Sequence, residues 1–317
     1  MVIVSAFGGC ETTVGTGNRS SHETGSVPAE RIHRYHRPMA VRTQPKLSAA
    51  DIGYAYDAAQ KVVETHRRLS AWLRPGVTLP QVDTFVAKTL EELDCRSCFL
   101  RYKPPGSSSR LPPFPSHACL SVNDCVVHGT AGSYGKPMQP GDVLKIDIGV
   151  WYKGLIGDAG WTYVFGAKSP LVARLTACGK ESLRRGVLEL RPGNTYLDWA
   201  RAVQTHVEGE SGFHLIRGLG GHGIGRTLHG GPFVSNVLPT YPGEWPDAFT
   251  PCTPGTLIAV EPMLAVTTGQ TRPHNNQWPV YSADGSLTVH YEHDVLITDH
   301  GPRVLSEGIE TVNDVIN

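Results

Sequence analysis

One order of elements is written twice in this chain, and that repetition limits the fold more than any other feature. In the first copy Ser48 can cap a helix running to about Leu73, with Ile52, Ala55, Ala58, Val62 and Val63 at helical spacing. It ends at Leu-Arg-Pro-Gly, Leu73 to Gly76. Thr78 then opens a shorter helix to about Leu93, with Pro80 in its first turn and Gln81 in the capping-box position. In the second copy Ser169-Pro170 opens a helix ending at another Leu-Arg-Pro-Gly, Leu190 to Gly193, and Thr195 with Asp198 opens the run Thr195 to Gly209. The strands follow suit. Pro140 precedes Asp147 by seven residues in PGDVLKID, as Pro254 precedes Glu261 in PGTLIAVE. An offset of about 115 residues between copies predicts an α+β domain built from two similar αβ halves.

Both halves carry acidic residues inside apolar strands. VLKIDIGVWY and LIGDAGWTYVF flank Lys153-Gly154. A two-residue hairpin there pairs Tyr152 with Leu155, hence Asp147 with Gly160 and Gly149 with Asp158. Asp147 and Asp158 then share a face as diagonal neighbours, roughly 7–8 Å apart at the backbone. The turn lacks the favoured Asn-Gly, so a longer loop with an even shift of register is the alternative. In the second half Glu261 ends one apolar run, and Glu292 begins another after the turn Ser282 to Ser286. His222 and His229 lie seven apart in the glycine-rich run GHGIGRTLH, a spacing for loop or strand rather than one helix face. His128 follows SVNDCVV. A buried carboxylate is costly unless a cation neutralises it. Four carboxylates and an imidazole aimed at one point suit two divalent metals. The ordinary alternatives are a solvated acidic face and core histidines.

The motifs SVNDCVVHG, KIDIG, GDAGWTYVFG, GHGIGRTLH, VEPM and YEHDVLIT, in this order, resemble the type I methionine aminopeptidases, M24 peptidases of the pita-bread fold. The resemblance covers about residues 46 to 305. It implies a hydrolase with two divalent ions held by Asp147, Asp158, His222, Glu261 and Glu292, the bridging pair being Asp158 and Glu292. The ligand set suits Co, Mn, Fe or Zn without choosing among them. It further implies that a hydroxide held between the metals attacks the first peptide bond. Glu261 would pass the proton to the leaving amine, His229 would stabilise the oxyanion, and His128 would bond the scissile amide. The substrate would be the N-terminus of a nascent polypeptide, Met followed by a small residue, met close to the ribosome. Phe114, Cys119 and Trp278 are the implied methionine pocket, against plain core packing as the alternative. About 30 residues separate His229 from Glu261, which leaves no room for the type II insertion. Two departures stand out. Gly230 follows the second histidine where the family often has an acid, and the proline-rich stretch Leu238 to Pro254 is long enough to alter the rim of the cleft.

Bulk properties narrow the rest. Lys plus Arg equals Asp plus Glu at 29 each, so charge gives no reason to expect nucleic acid or an anionic membrane as partner. No apolar run reaches the roughly 18 residues of a membrane span. The start MVIVSAFGGC is a poor signal peptide, despite Cys10 after two glycines. Seven cysteines read as reduced thiols in a cytoplasmic monomer, with Cys95 and Cys98 as an isolated CxxC. Residues 1–45, rich in Gly, Ser, Thr, His and Arg, read as a disordered extension before a catalytic domain at 46–317, with Met39 an alternative start. The rivals are an aminopeptidase P or prolidase of the same fold, a pita-bread binding protein without catalysis, and a structural zinc protein, which would need thiolates.

Overall fold

A computed structural model describes residues 47–104, 111–272 and 276–317. The expected extension over 1–45, with Met39, lies outside the described residues.

Helix α1 (Ala49–Trp72) starts where Ser48 Oγ accepts from Asp51 N at 3.1 Å and Asp51 Oδ2 accepts from Ser48 N at 3.0 Å. It buries Ala55, Ala58, Ala59, Val62, His66 and Leu69, one stripe at helical spacing. Helix α2 (Leu79–Glu92) carries the Thr78–Gln81 capping box. The second copy repeats the plan. Helix α3 (Pro170–Glu189) is capped by Ser169, and α4 (Tyr196–Gln204) by Thr195 with Asp198. Gly76 and Gly193, closing the two Leu-Arg-Pro-Gly turns, have φ of 91° and 95°.

The repetition extends to charged side chains on the helix surfaces. Glu64 bridges Arg67 and Arg68, and Arg68 reaches Glu92 at 3.0 Å. Glu181 likewise bridges Arg184 and Arg185, and Arg185 reaches Glu210 at 2.8 Å. Exposed pairs like these add little stability; their matching layout marks the two halves as copies. One difference appears at the end of α4. The expected α-helical run to Gly209 turns into a π-helical turn at Thr205–Glu210, where Ser211 N donates to His206 O and Glu210 accepts from His206 Nδ1.

The strands form two main sheets. Strands β1 (Cys119–Val122), β2 (Val143–Tyr152) and β3 (Leu155–Phe165) lie in one, with β2 paired antiparallel to both others. Strands β4 (Gly220–Gly223), β5 (Gly230–Ser235), β6 (Leu257–Val260), β9 (His293–Thr298) and β10 (Gly301–Val304) form the other, in the order β10-β9-β6-β4-β5. A small third sheet holds β7 (Met263–Ala265) and β8 (Thr288–His290). The chain between β8 and β9 stitches the halves together: Glu292 N donates to Gly160 O at 2.9 Å, and Asp158 N donates to Asp294 Oδ2 at 2.8 Å. Helices cover the outer faces, with α1 on β2 and β3. This is the expected α+β pita-bread architecture.

Candidate metal centre

The first pair of carboxylates sits on the hairpin at its expected register. Asp147 opposes Gly160, and Gly149 opposes Asp158. Lys153 and Gly154 close it in two residues, with φ of 48° and 83°. Lys153 thus accepts a left-handed conformation that asparagine would take more readily. Diagonal placement sets the two carboxyl groups on one face of the hairpin, close enough for each to perturb the other's proton.

The second half supplies the facing wall. His222 lies in β4 between Ala259 of β6 and Phe233 of β5. Its flanking glycines have a steric cause. A Cβ at Gly221 would stand 2.2 Å from Ala259 O, and one at Gly223 would stand 2.0 Å from Gly231 O. His222 Nδ1 lies 3.2 Å from Gly223 O. A carbonyl only accepts, so Nδ1 carries the proton and Nε2 turns its lone pair to the site. Glu261 follows the end of β6, and Glu292 lies between β8 and β9. His222 Nε2 is 3.9 Å from Glu261 Oε1.

These side chains converge. Asp158, His222 and Glu292 bring ligand atoms within 4.8 Å of one another, and so do Glu261, His290 and Glu292. Asp158, His222, Glu261, Glu292 and His290 are at most 3% exposed, whereas Asp147 keeps partial access to solvent. Among the described residues no Lys or Arg forms an ion pair with the four carboxylates, and the His222 and His290 rings stand beside Glu261 and Glu292. Oδ1 of Asp147, Oδ1 of Asp158 and Oε1 of Glu261 are covered and lack a hydrogen-bond partner. Burial, then the Glu261 charge, pushes the Asp147 carboxyl up to about 7. Burial and mutual repulsion hold Asp158 and Glu292 well above the carboxylate range. Burial keeps His222 neutral, well below the usual imidazole value. Orphaned acidic oxygens around neutral imidazole is the arrangement a divalent cation satisfies.

The two further histidines flank this cluster. The His229 ring is 4.5 Å from that of His222. Its Nδ1 is hydrogen-bonded to the Tyr102 hydroxyl, a partner in a loop that carried no sequence signal. His128, at φ 56°, lies 5.8 Å from the Trp278 ring, and Phe114 lies 5.2 Å from Trp278 on an edge-to-face contact. Trp278 is fixed by its Nε1 donating to Pro112 O at 2.8 Å. Cys119 is the cross-strand partner of Asp147. The three expected pocket residues therefore share one apolar cluster that reaches the acidic site.

Other features were missed or resolve differently. His290 and Asp294 were overlooked, although alternation through His290, Glu292 and Asp294 sets all three on one side of the chain. Asp294 is fully buried and accepts from Asp158 N. Cys98 is buried with its Sγ close against Gly149, and Cys95 is half-buried, its thiol pushed up to about 11 by burial. Neither joins a metal-ligand cluster among the described residues. The proline-rich 238–254 segment packs over α4 and β5: Leu197 N donates to Ala248 O at 2.8 Å, and Trp245 Nε1 to Phe233 O at 3.0 Å. Gly230 opens β5.

Two αβ halves enclosing buried acids that a cation would satisfy define a class, the metal-binding proteins of the pita-bread fold. The sequence matches the model of Metallopeptidase family M24 over residues 55–299, and the chain belongs to that family. It is 36% identical over 250 residues to the methionine aminopeptidase of Aquifex aeolicus, covering 79% of this chain and 93% of that one. Among solved structures, methionine aminopeptidase from Thermotoga maritima matches with a TM-score of 0.73 at 29% identity, over 83% of this chain and 98% of that chain. A prolidase from Pyrococcus furiosus shares the fold at 18% identity with a TM-score of 0.61, and the match spans 64% of its length.

Proposed function

We infer that this chain is a divalent-metal aminopeptidase that hydrolyses the bond after an N-terminal methionine when the second residue is small. The observation that carries this reading is the buried convergence of Asp158 from one half with His222 and Glu292 from the other, and of Glu261 with Glu292, beside Asp147 on the same strand face as Asp158. Relatives named methionine aminopeptidase support the substrate, and they match nearly their whole length.

Two ions would be held by these five residues. Asp158 and Glu292 would be shared, with Asp147 on one side and His222 with Glu261 on the other. When bound, such ions supply Lewis acidity and make water a nucleophile at neutral pH. Co, Mn, Fe or Zn would serve. The chain's own residues do the rest. Glu261 takes the proton of the attacking water and gives it to the leaving amine. His229, oriented by Tyr102, donates to the oxygen on which negative charge develops. His128 bonds the scissile amide. The free α-amine of the substrate is received on the Asp147 side, which an internal peptide bond cannot satisfy. Phe114, Cys119 and Trp278 line the space for the methionine side chain. The substrates are nascent polypeptides near the ribosome, met by a cytoplasmic monomer whose catalytic unit runs from residue 46 to 317. Among the described residues no helix is long and apolar enough to cross a bilayer.

The test is release of free Met from Met-Ala-Ser, with an X-Pro peptide as comparison and elemental analysis of the purified protein. The expected result is metal-dependent cleavage of the first peptide only, and at least about a 100-fold loss in Asp147→Ala, since even outer-shell changes reach that scale. Asp147→Ala working at the parent rate would remove that residue from the site. Preference for the X-Pro peptide would favour the prolidase reading.

A further inference from the structure

His290 lies beyond the five residues that the site description needs, and it has no evident structural duty there. It is 1% exposed, and its Nε2 has no hydrogen-bond partner. That nitrogen points at two carboxylates, standing 3.4 Å from Glu261 Oε2 and 3.7 Å from Glu292 Oε2. Both separations are long for hydrogen bonds, yet they match an edge of a coordination polyhedron. Two donors about 2.1 Å from one ion at a tetrahedral angle lie about 3.4 Å apart.

The ring is also held on target. His290 N donates to Thr162 Oγ1 at 3.0 Å, and Thr162 Oγ1 donates back to His290 O at 2.7 Å. On the site face of β3, a Cβ at Gly160 would stand 3.0 Å from His290 Cε1 and 3.2 Å from Glu292 Oε2. The absent side chain at residue 160 is what lets the ring lie against the strand.

We propose that His290 is a direct ligand, through Nε2, of the divalent ion held by Glu261 and Glu292. This rests on the metal-dependent reading above and deepens it, because a second imidazole beside His222 changes which metals the centre holds. Imidazole raises affinity for Zn, Co and Fe over Mg and Mn, which prefer oxygen. Proton transfer stays with Glu261; His290 acts by fixing the ion and the Glu261 and Glu292 carboxylates around it.

The experiment uses the full chain loaded to saturation with Co(II) or Zn(II). X-ray absorption counts the imidazoles bound per protein, and isothermal titration measures affinity, for the parent and for His290→Gln. The parent should show two imidazoles, from His222 and His290, and the variant one. The variant should bind its ion about 10–100-fold more weakly, with its selectivity moved towards Mn. A parent spectrum with a single imidazole overturns the proposal without help from any variant, so a poorly folding His290→Gln cannot rescue it. Equal affinities and Co(II) visible spectra in the two proteins would also overturn it, while leaving the aminopeptidase reading intact. Failure of the parent to bind any divalent ion would instead sink that broader reading.

Discussion

Replacing Gly157 with alanine should lower stability sharply, although the change adds one methyl group. Gly157 lies on the face of β3 that meets α1. Its missing Cβ would stand 2.4 Å from Ala59 N and 2.5 Å from Ala58 C. Ordinary contact needs about 3.5–4.0 Å, so α1 or β3 must give way by about 1 Å. The obstructing atoms are helix backbone, which no rotamer change can move. Ala58 and Ala59 are fully buried, so the helix has no solvent to retreat into. Overpacking of this kind costs about 1–3 kcal/mol, and a clash with backbone belongs at the upper end. At about 2–4 °C per kcal/mol for a domain near this size, the melting point should fall by about 6–12 °C. Gly53 gives a control of opposite sign. It lies exposed in the same helix, with nothing within 4 Å of its would-be Cβ. Gly53→Ala should gain about 1 kcal/mol from helix propensity alone. Calorimetry of the parent and both variants, all metal-free, is the assay. If Gly157→Ala melts within about 2 °C of the parent, α1 does not pack on β3 closely enough to exclude a methyl group.

Two further outcomes follow from buried groups. His66 Nε2 donates to Ala159 O at 3.2 Å and its Nδ1 accepts from the Tyr163 hydroxyl at 2.9 Å; burial pulls its pKa down to about 4 from the usual 6.5. The unfolded chain therefore takes up a proton at a higher pH than the folded one, so stability falls as pH drops from about 6.5 to about 4 and levels off below. The His66 share is at most about 3 kcal/mol; urea titrations at pH 7 and 5 should show His66→Gln losing that part of the slope, and equal slopes would contradict the assignment. Trp278→Ala, which removes one wall of the proposed methionine pocket, should raise KM for Met-Ala-Ser about 10-fold or more while changing kcat less, given about 1.5–3 kcal/mol for a buried apolar side chain. An unchanged ratio of Met to Leu cleavage would take Trp278 out of the pocket.

Much of the scaffold was legible because it depends on local rules. A two-residue hairpin and a period of two fix the faces of Asp147 and Asp158 without any tertiary information. Caps and glycine turns mark the helices, and their recurrence exposes the duplication. What escaped was of another kind. Tyr102 meets His229 across 127 positions, from a loop with no periodicity. His290 lies within reach of the alternation rule, but a histidine two residues from an acidic residue in an apolar run carries no signal of its own beside Glu292. The π-helical turn after α4 depends on partners such as Arg185, which lies 25 residues from Glu210.

The duplication and the site also obey different constraints. Backbone devices recur in both halves: Gly141 and Gly255, each after a proline, have φ of 99° and 90°. Those turns launch β2 and β6, and each leads to a carboxylate at the same offset, Asp147 in one half and Glu261 in the other. The remaining acids do not correspond. Asp158 faces Gly149 on the return strand of its hairpin, whereas Glu292 lies on the second half's return segment opposite Glu261 itself, and its N–H donates to Gly160 O in the opposite half. A copied scaffold would give a symmetric cage open at the seam. Here the seam itself is crossed by Glu292, with Asp294 two residues on bonding the backbone of Asp158. Closing the halves and completing the acidic cluster are therefore one structural event. An ion bound there would stabilise the docked pair by mass action, because neither half alone presents all of these acidic and imidazole groups.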